Sequence, residues 1–361
     1  MKIFNKPFIK IIFEYKINKM QPKTFGKRAK GKEKLKLSNS PNFDGTVFKN
    51  PIPTSMSINF LKVLKDYVVS NSNLRKPSKP VPIKLVAKNS FNVNPSQELS
   101  VRWLGHASSV IEINGKRILT DPVLSERVSP FSFSGPKRLH PNPMSLENLP
   151  HIDAIIISHN HYDHLDYEFV SAITEKDIKF IMPLGVGSYL KHWGVNTANI
   201  IELDWHSSYS LDDVLITSTP ARHFSGRGLL DRNKSQWASF VIESKKQKLF
   251  FCGDSGYFDG FKEIGDKYGG FDITMIGIGA YNEQWQAIHT NPAEAVKAHK
   301  FLKGKYLLPI HWCTFDLALH SWDEPINWLL KEASKHQVQL ILPQPGEAIN
   351  TTDFENSNWW L

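Results

Sequence analysis

Between Ile155 and Asp166 the chain reads Ile-Ile-Ile-Ser-His-Asn-His-Tyr-Asp-His-Leu-Asp, and no other stretch restricts the possible folds as much. An apolar run ends at Ser158; His159, His161, Asp163 and His164 follow at once. In an extended backbone, residues two apart share a face, so His159 and His161 converge on one point. Asp163 and His164 come where the chain turns toward a helix, and they aim at a second point close by. Imidazole with carboxylate is the ligand set of zinc and other borderline divalent metals. A loose pair of histidines often only caps or fills; this string, at the carboxyl end of a buried strand, is far more specific.

The surrounding pattern predicts an α/β fold. Val101–Leu104, Ser109–Ile113 and Arg117–Thr120 read as strands, with Asn114-Gly115 as a hairpin turn. After a long proline-rich loop over 125–150, strands and helices alternate. The strands are 153–157, 179–182, 199–203, 214–219, 237–243, 248–252, 271–278, 306–310 and 338–342. Helices are expected over 164–174 and 186–193, after Asp323, and after Asn291, where Pro292 and Glu294 supply the cap signature. Such an order suggests two mixed sheets packed face to face with helices outside.

Single polar residues recur where these strands end: His223 after 214–219, Asp254 after 248–252, His311 after 306–310. Groups on loops beyond strand ends are carried by a rigid scaffold, as chemistry requires. Asp121, also beyond a strand, either holds a ligand imidazole by its far ring nitrogen or is only the turn residue before Pro122.

This set resembles the signature of the metallo-β-lactamase superfamily, an αββα sandwich. The resemblance implies that His159, His161 and His223 hold one metal and Asp163, His164 and His311 a second. Asp254 and a hydroxide would bridge them. Two zinc ions are the implied cofactors, although iron or manganese suits His/Asp sites of this kind. Asp163 could also orient the hydroxide or take its proton. A narrower resemblance spans roughly residues 98–350. Its stretches are Trp103–Ala107, Gly135–Arg138, Ile157–Asp166, Ile201–Trp205, Gly253–Tyr257, Ile278–Tyr281 and Ile310–Trp312. They are similar to the phospholipase D that hydrolyses N-acyl-phosphatidylethanolamine and to its bacterial relatives. That likeness implies phosphodiester cleavage giving phosphatidic acid and an N-acylethanolamine, with hydroxide attacking phosphorus. It also makes His289 and His320 candidate catalytic histidines, and Tyr281 and Trp285 candidates for lining an acyl cleft. His106 reads as an outer or structural residue. Two departures stand out: Asn282-Glu283-Gln284 after Tyr281, and Cys313 where the family tends to have glycine.

Charge divides the chain into unequal parts. Residues 1–37 carry twelve Lys/Arg and two Glu, so the formal charge of +9 belongs to this end. The remainder is near neutral, which argues against nucleic acid as a partner. The expected organisation is a basic, disordered tail over 1–45, a helix and extended linker over 46–98, and a catalytic domain over 99–361. Met20 is an alternative start, and the first twenty residues lack the apolar run of a signal peptide. No stretch is long and apolar enough to span a membrane, and two cysteines make no disulfide framework. The expected setting is therefore cytoplasmic, with peripheral contact to an inner membrane face, a phospholipid substrate and a homodimer. The competing expectation is a hydrolase of a soluble lactone, cyclic phosphodiester or sugar derivative on the same metal site.

Overall fold

The computed structural model describes residues 22–54, 65, 74–351 and 353–361. After a short helix α1 (Lys32–Leu37), three strands form an antiparallel meander: β1 (Ser100–Gly105), β2 (Ser108–Ile113) and β3 (Lys116–Thr120). The Asn114-Gly115 turn between the last two has both residues at positive φ, as a tight hairpin turn demands. β4 (Ala154–Ile156), β5 (Lys179–Pro183) and β6 (Ile200–Leu203) then extend this sheet in parallel. Between them run α2 (Tyr167–Ala172) and α3 (Gly187–His192).

The second sheet begins antiparallel with β7 (Ser208–Leu211), β8 (Val214–Thr219), β9 (Ser239–Glu243) and β10 (Lys248–Phe251). It ends parallel, as α4 (Gly260–Tyr268), β11 (Phe271–Gly277), α5 (Pro292–Phe301), β12 (Gly304–Ile310), α6 (Glu324–His336) and β13 (Gln339–Leu340) follow in turn. β14 (Ala348–Asn350) returns to pair with β1. Each sheet has seven strands, in the orders β14-β1-β2-β3-β4-β5-β6 and β13-β12-β11-β10-β9-β8-β7. Two packed mixed sheets with outer helices are the architecture the sequence predicts.

Strand periodicity explains the layers. In and beside β4, Ala154 and Ile156 face the core between the sheets. Ile155 and Ile157 face the other way, onto Phe169, Val170 and Leu190 of the helices. A strand buried on both faces reads as a continuous apolar run, and this run delivers His159 into the interior. α2 starts later than expected, at Tyr167, because Asp166 caps it by accepting the Glu168 N–H at 2.9 Å. The freed residues make a turn instead, with the His164 and Leu165 N–H groups donating to the His161 carbonyl. The predicted capping box at Asn291 and Glu294 forms as expected.

The N-terminal region differs from expectation. From residue 22 onward the basic segment is folded, with Ala29, Leu37, Phe43 and Phe48 buried in the main core. Its apolar anchors have neither helical nor strand spacing, so the lysines around them dominate the sequence pattern. Arg227 donates to the Thr24 carbonyl at 2.8 and 3.0 Å, and the Trp193 indole donates to the Lys23 carbonyl. Residues 1–21 lie outside the described residues, as does the helix that the spacing of Phe60, Leu61, Leu64, Tyr67 and Val68 predicts within 46–98, apart from Lys65. Val81 and Val86 of the linker are buried. Among the described residues no helix is long and apolar enough to cross a membrane.

Two stability consequences follow from packing. At Gly265 an added Cβ would sit 2.0 Å from the Phe301 carbonyl oxygen, so α4 and α5 meet at backbone contact. Gly265→Ala should cost about 1–3 kcal/mol, read as a lower urea midpoint with unchanged slope. His140 and His299 are buried, and desolvation lowers each from 6.5 to about 4. The unfolded chain therefore takes up protons first, so their contribution is full above pH 6.5 and lost as pH falls toward 4. Unfolding midpoints should drop across that window, and His299→Asn should flatten part of the drop.

Candidate metal centre

Five strand ends feed one point. His159 to His164 follow β4, Asp121 follows β3, His223 follows β8, Asp254 follows β10 and His311 follows β12. Gly253, at φ 56°, lets the chain after β10 pass under Ser158, where a Cβ would lie 2.5 Å from the Ser158 Cβ.

The imidazoles of His159, His161 and His223 form the first group. His161 Nδ1 lies 2.8 Å from His159 Nε2 and 3.2 Å from His223 Nε2. The outer nitrogens are committed elsewhere: His223 Nδ1 donates to the Ile288 carbonyl at 2.9 Å, and His159 Nδ1 meets Ser158 Oγ at 2.9 Å. Those bonds turn the Nε2 lone pairs inward.

Asp163, His164, His311 and His106 form the second group. Asp163 Oδ2 lies 3.4 Å from both His164 Nε2 and His311 Nε2. The His106 ring donates to it from Nε2 at 3.0 Å. His164 is held from behind, as its Nδ1 donates to Asp121 Oδ2 at 2.6 Å. Asp121 is therefore the orienting carboxylate of the two sequence readings, and Ser158 also donates to it from N and Oγ. His311 is fixed through its backbone, which donates to the His106 carbonyl, and through ring contact with His106 at 3.9 Å.

Asp254 joins the groups. Its Oδ1 is 3.2 Å from His311 Nε2, and its Oδ2 is 3.2 Å from His164 Nε2 and 3.6 Å from His223 Nε2. Burial pushes both central carboxyls up, but the neighbouring imidazoles outweigh it and hold Asp163 and Asp254 well below the usual range. Both therefore stand as anions. Burial lowers His159 and His223 well below 6.5, leaving them neutral.

The donor set fits a divalent metal. His164 Nε2, Asp254 Oδ2 and His311 Nε2 are buried without a hydrogen-bond partner, a costly state for polar atoms unless a cation takes their lone pairs. One ligand atom from each residue of a group lies within 4.8 Å of the others. Every predicted ligand is brought together, and His106 joins them.

The other candidates fall into different places. His289 Nδ1 is 3.8 Å from Asp254 Oδ2, with its side chain 15% exposed, so it sits at the lip of the cluster. His320 has both ring nitrogens engaged: Nδ1 with the Ser321 carbonyl at 2.9 Å and Nε2 with the Ala280 N–H at 3.0 Å. It shapes the 280 loop and has no nitrogen free for substrate. Tyr281 stacks on His320 and donates to Glu324 at 2.6 Å, while the Trp285 indole donates to the Ala280 carbonyl at 2.7 Å. Their contacts are with His320, α6 and their own loop. Sequence reasoning missed Asn50, which bonds the His223 backbone, and Arg227, which binds the carbonyls of Asn160 and Leu165. No local motif marks either residue.

Comparison with known proteins agrees with this geometry. The Beta-lactamase superfamily domain matches residues 116–312. A Mycobacterium tuberculosis protein is 42% identical over 329 residues, 89% of this chain and 87% of its own. The N-acyl-phosphatidylethanolamine-hydrolyzing phospholipase D 1 of Caenorhabditis elegans is 35% identical over 301 residues, 77% of this chain and 83% of its own. Among solved structures, Igni18, a metallo hydrolase from Ignicoccus hospitalis, aligns with TM-score 0.55 at 20% identity over 71% of this chain and 99% of its own. The matched domain runs from the first residue of β3 to the residue after His311, enclosing every cluster residue except His106. The chain belongs to the metallo-β-lactamase superfamily and is a metal-dependent hydrolase.

Proposed function

We propose that the protein is a zinc-dependent phosphodiesterase of phospholipase D type, acting on N-acyl-phosphatidylethanolamine at a membrane surface. Water and the phosphodiester give phosphatidic acid and an N-acylethanolamine, with the bond between phosphorus and the ethanolamide oxygen breaking. The observation that carries this reading is an exposed apolar surface leading away from the metal ligands. Tyr162, next to His161, meets Phe25 edge-on at 6.4 Å, and Phe25 meets Phe131 at the same distance. Phe131 contacts Phe133, which is 80% exposed. Gly228 lies against Phe25, and the next residues, Leu229 and Leu230, are 89% and 57% exposed. Exposed apolar patches of this kind mark contact surfaces, lipid surfaces among them, and this one supports a lipid substrate. Residues 22–36 beside it carry seven Lys/Arg and one Glu, suited to anionic headgroups. The resemblance to the Caenorhabditis elegans phospholipase D supports the same substrate class.

In this reading His159, His161 and His223 hold one zinc, Asp163, His164 and His311 the other, and Asp254 both. Bound there, the two ions would lower the pKa of water and stabilise charge on the phosphoryl oxygens. The chain supplies orientation. Asp121 keeps the His164 proton on Nδ1, and the Ile288 carbonyl does the same for His223. His106 fixes the Asp163 carboxylate. His289, with Nδ1 on the Asp254 side, offers Nε2–H to a phosphate oxygen.

Zinc-loaded protein should release N-acylethanolamine from N-acyl-phosphatidylethanolamine in mixed micelles. Chelation or His159→Ala should lower the rate by about 100-fold or more. Turnover of a soluble diester or lactone with none of the phospholipid would keep the metal centre and overturn the substrate. Replacing Phe133 and Leu229 together by Ser removes two large apolar groups, each contributing about 1.5–3 kcal/mol on burial. Turnover on vesicles should then fall about tenfold or more relative to turnover on a short-chain diester. Equal losses on both substrates would exclude this surface.

A further inference from the structure

We infer that Asn50 is a positioning residue of the metal centre, an amide clamp through which the N-terminal segment sets the backbone of His223. The inference rests on the reading that His159, His161 and His223 hold a metal. His223 leaves β8 and lies outside any strand, so no ladder fixes its main chain. Its N–H donates to Asn50 Oδ1 at 2.9 Å, and its carbonyl accepts from Asn50 Nδ2 at 2.8 Å. One side chain thus does for His223 what a neighbouring strand does for a paired residue.

Only an amide of this reach can do both, because asparagine carries an acceptor and a donor on one short planar group. The orientation of that amide is not arbitrary. The Trp237 indole N–H also donates to Oδ1, at 3.1 Å. Turning the amide over would set N–H against N–H at two places, so the surroundings select one orientation. Trp237 also donates to the Ala221 carbonyl at 2.9 Å, two residues before His223, so the indole and the amide brace the same turn.

The clamp is itself anchored away from the ligands. Phe48 is buried against Phe43, with ring centres 4.9 Å apart, and its N–H donates to the Asn233 carbonyl. Beyond Asn50, Thr54 Oγ1 accepts from Arg222 Nε at 3.0 Å. The strap therefore grips the residues flanking and including a metal ligand, although it lies well outside the matched domain of residues 116–312. With Nδ1 of His223 held by Ile288, the backbone clamp is the second constraint on where Nε2 points. Loss of such supporting contacts typically weakens metal binding by about 10–100-fold.

The test compares Asn50→Ala, Asn50→Asp and Phe48→Leu with the wild type. Aspartate keeps the two accepted bonds and loses the donated one. Phe48→Leu loosens the strap without touching the amide. Zinc affinity is read by competition with a chromophoric chelator, coordination by the visible spectrum of the cobalt form, and stability by unfolding of metal-free protein. The expected result for Asn50→Ala is about tenfold or greater loss of affinity and an altered cobalt spectrum. Its metal-free midpoint should fall no further than that of Phe48→Leu, and Asn50→Asp should recover part of the affinity. Wild-type affinity in Asn50→Ala would overturn the inference and leave the metal centre standing. So would equal affinity loss in Asn50→Ala and Phe48→Leu, which would make the strap merely structural. Absence of metal uptake by the wild type would sink the metal-centre reading, and the inference with it.

Discussion

A buried carboxylate placed between imidazoles from both sheets is the constraint on which the rest of the structure depends. Asp254 is 2% exposed at its side chain and lies beside His164 from the first sheet and His223 and His311 from the second. An isolated anion in such surroundings is strongly disfavoured. The fold tolerates it because the lone pairs around it and its own charge share one cation-binding space. Every strand ending nearby is placed so that its last polar residue reaches that space while its apolar residues stay in the two cores.

The ligands are held in two different ways. For His159, His164 and His223 the outer ring nitrogen is bonded, to Ser158, Asp121 and the Ile288 carbonyl, so side-chain hydrogen bonds set the tautomer. His311 has neither ring nitrogen bonded and is set by its backbone. That backbone is unusual: His106, Asp121, Ala280, His311 and Cys313 all have positive φ. Residues held in the left-handed region cost free energy and persist only where the surroundings fix them. Cys313, at φ 54°, holds a conformation that glycine adopts without strain.

The site was legible because its signal is local in sequence or sits at predictable strand ends. His159, His161, Asp163 and His164 fall within six residues, and His223, Asp254 and His311 each follow an apolar run. The strands of the central sheets were legible for the same reason, since two-sided burial leaves continuous apolar runs. What stayed hidden has physical causes. α4 contains Gly260 and Gly265, and glycine within a pattern normally argues against a helix; here close contact with α5 requires Gly265. β7 is only four residues long, exposed Ser208 and Ser210 alternating with Tyr209 and Leu211, too short a pattern to stand out. The residues from 22 to 45 read as tail because lysine outnumbers their scattered anchors. Asn50 carries no signal, for a backbone clamp needs only one asparagine and a fold that brings it there.

The closing pairing of β14 with β1 gives the chain an almost circular path, with the two halves of the metal cluster drawn from opposite parts of it. Such contacts are among the most distant in sequence, and forming them closes the longest loops of the chain. A nascent chain lacking its second sheet has half a coordination shell and little hold on an ion. Every predicted ligand lies before residue 312, so a metal held there would stabilise the two-sheet fold by mass action and give no such protection to a chain still lacking its second sheet.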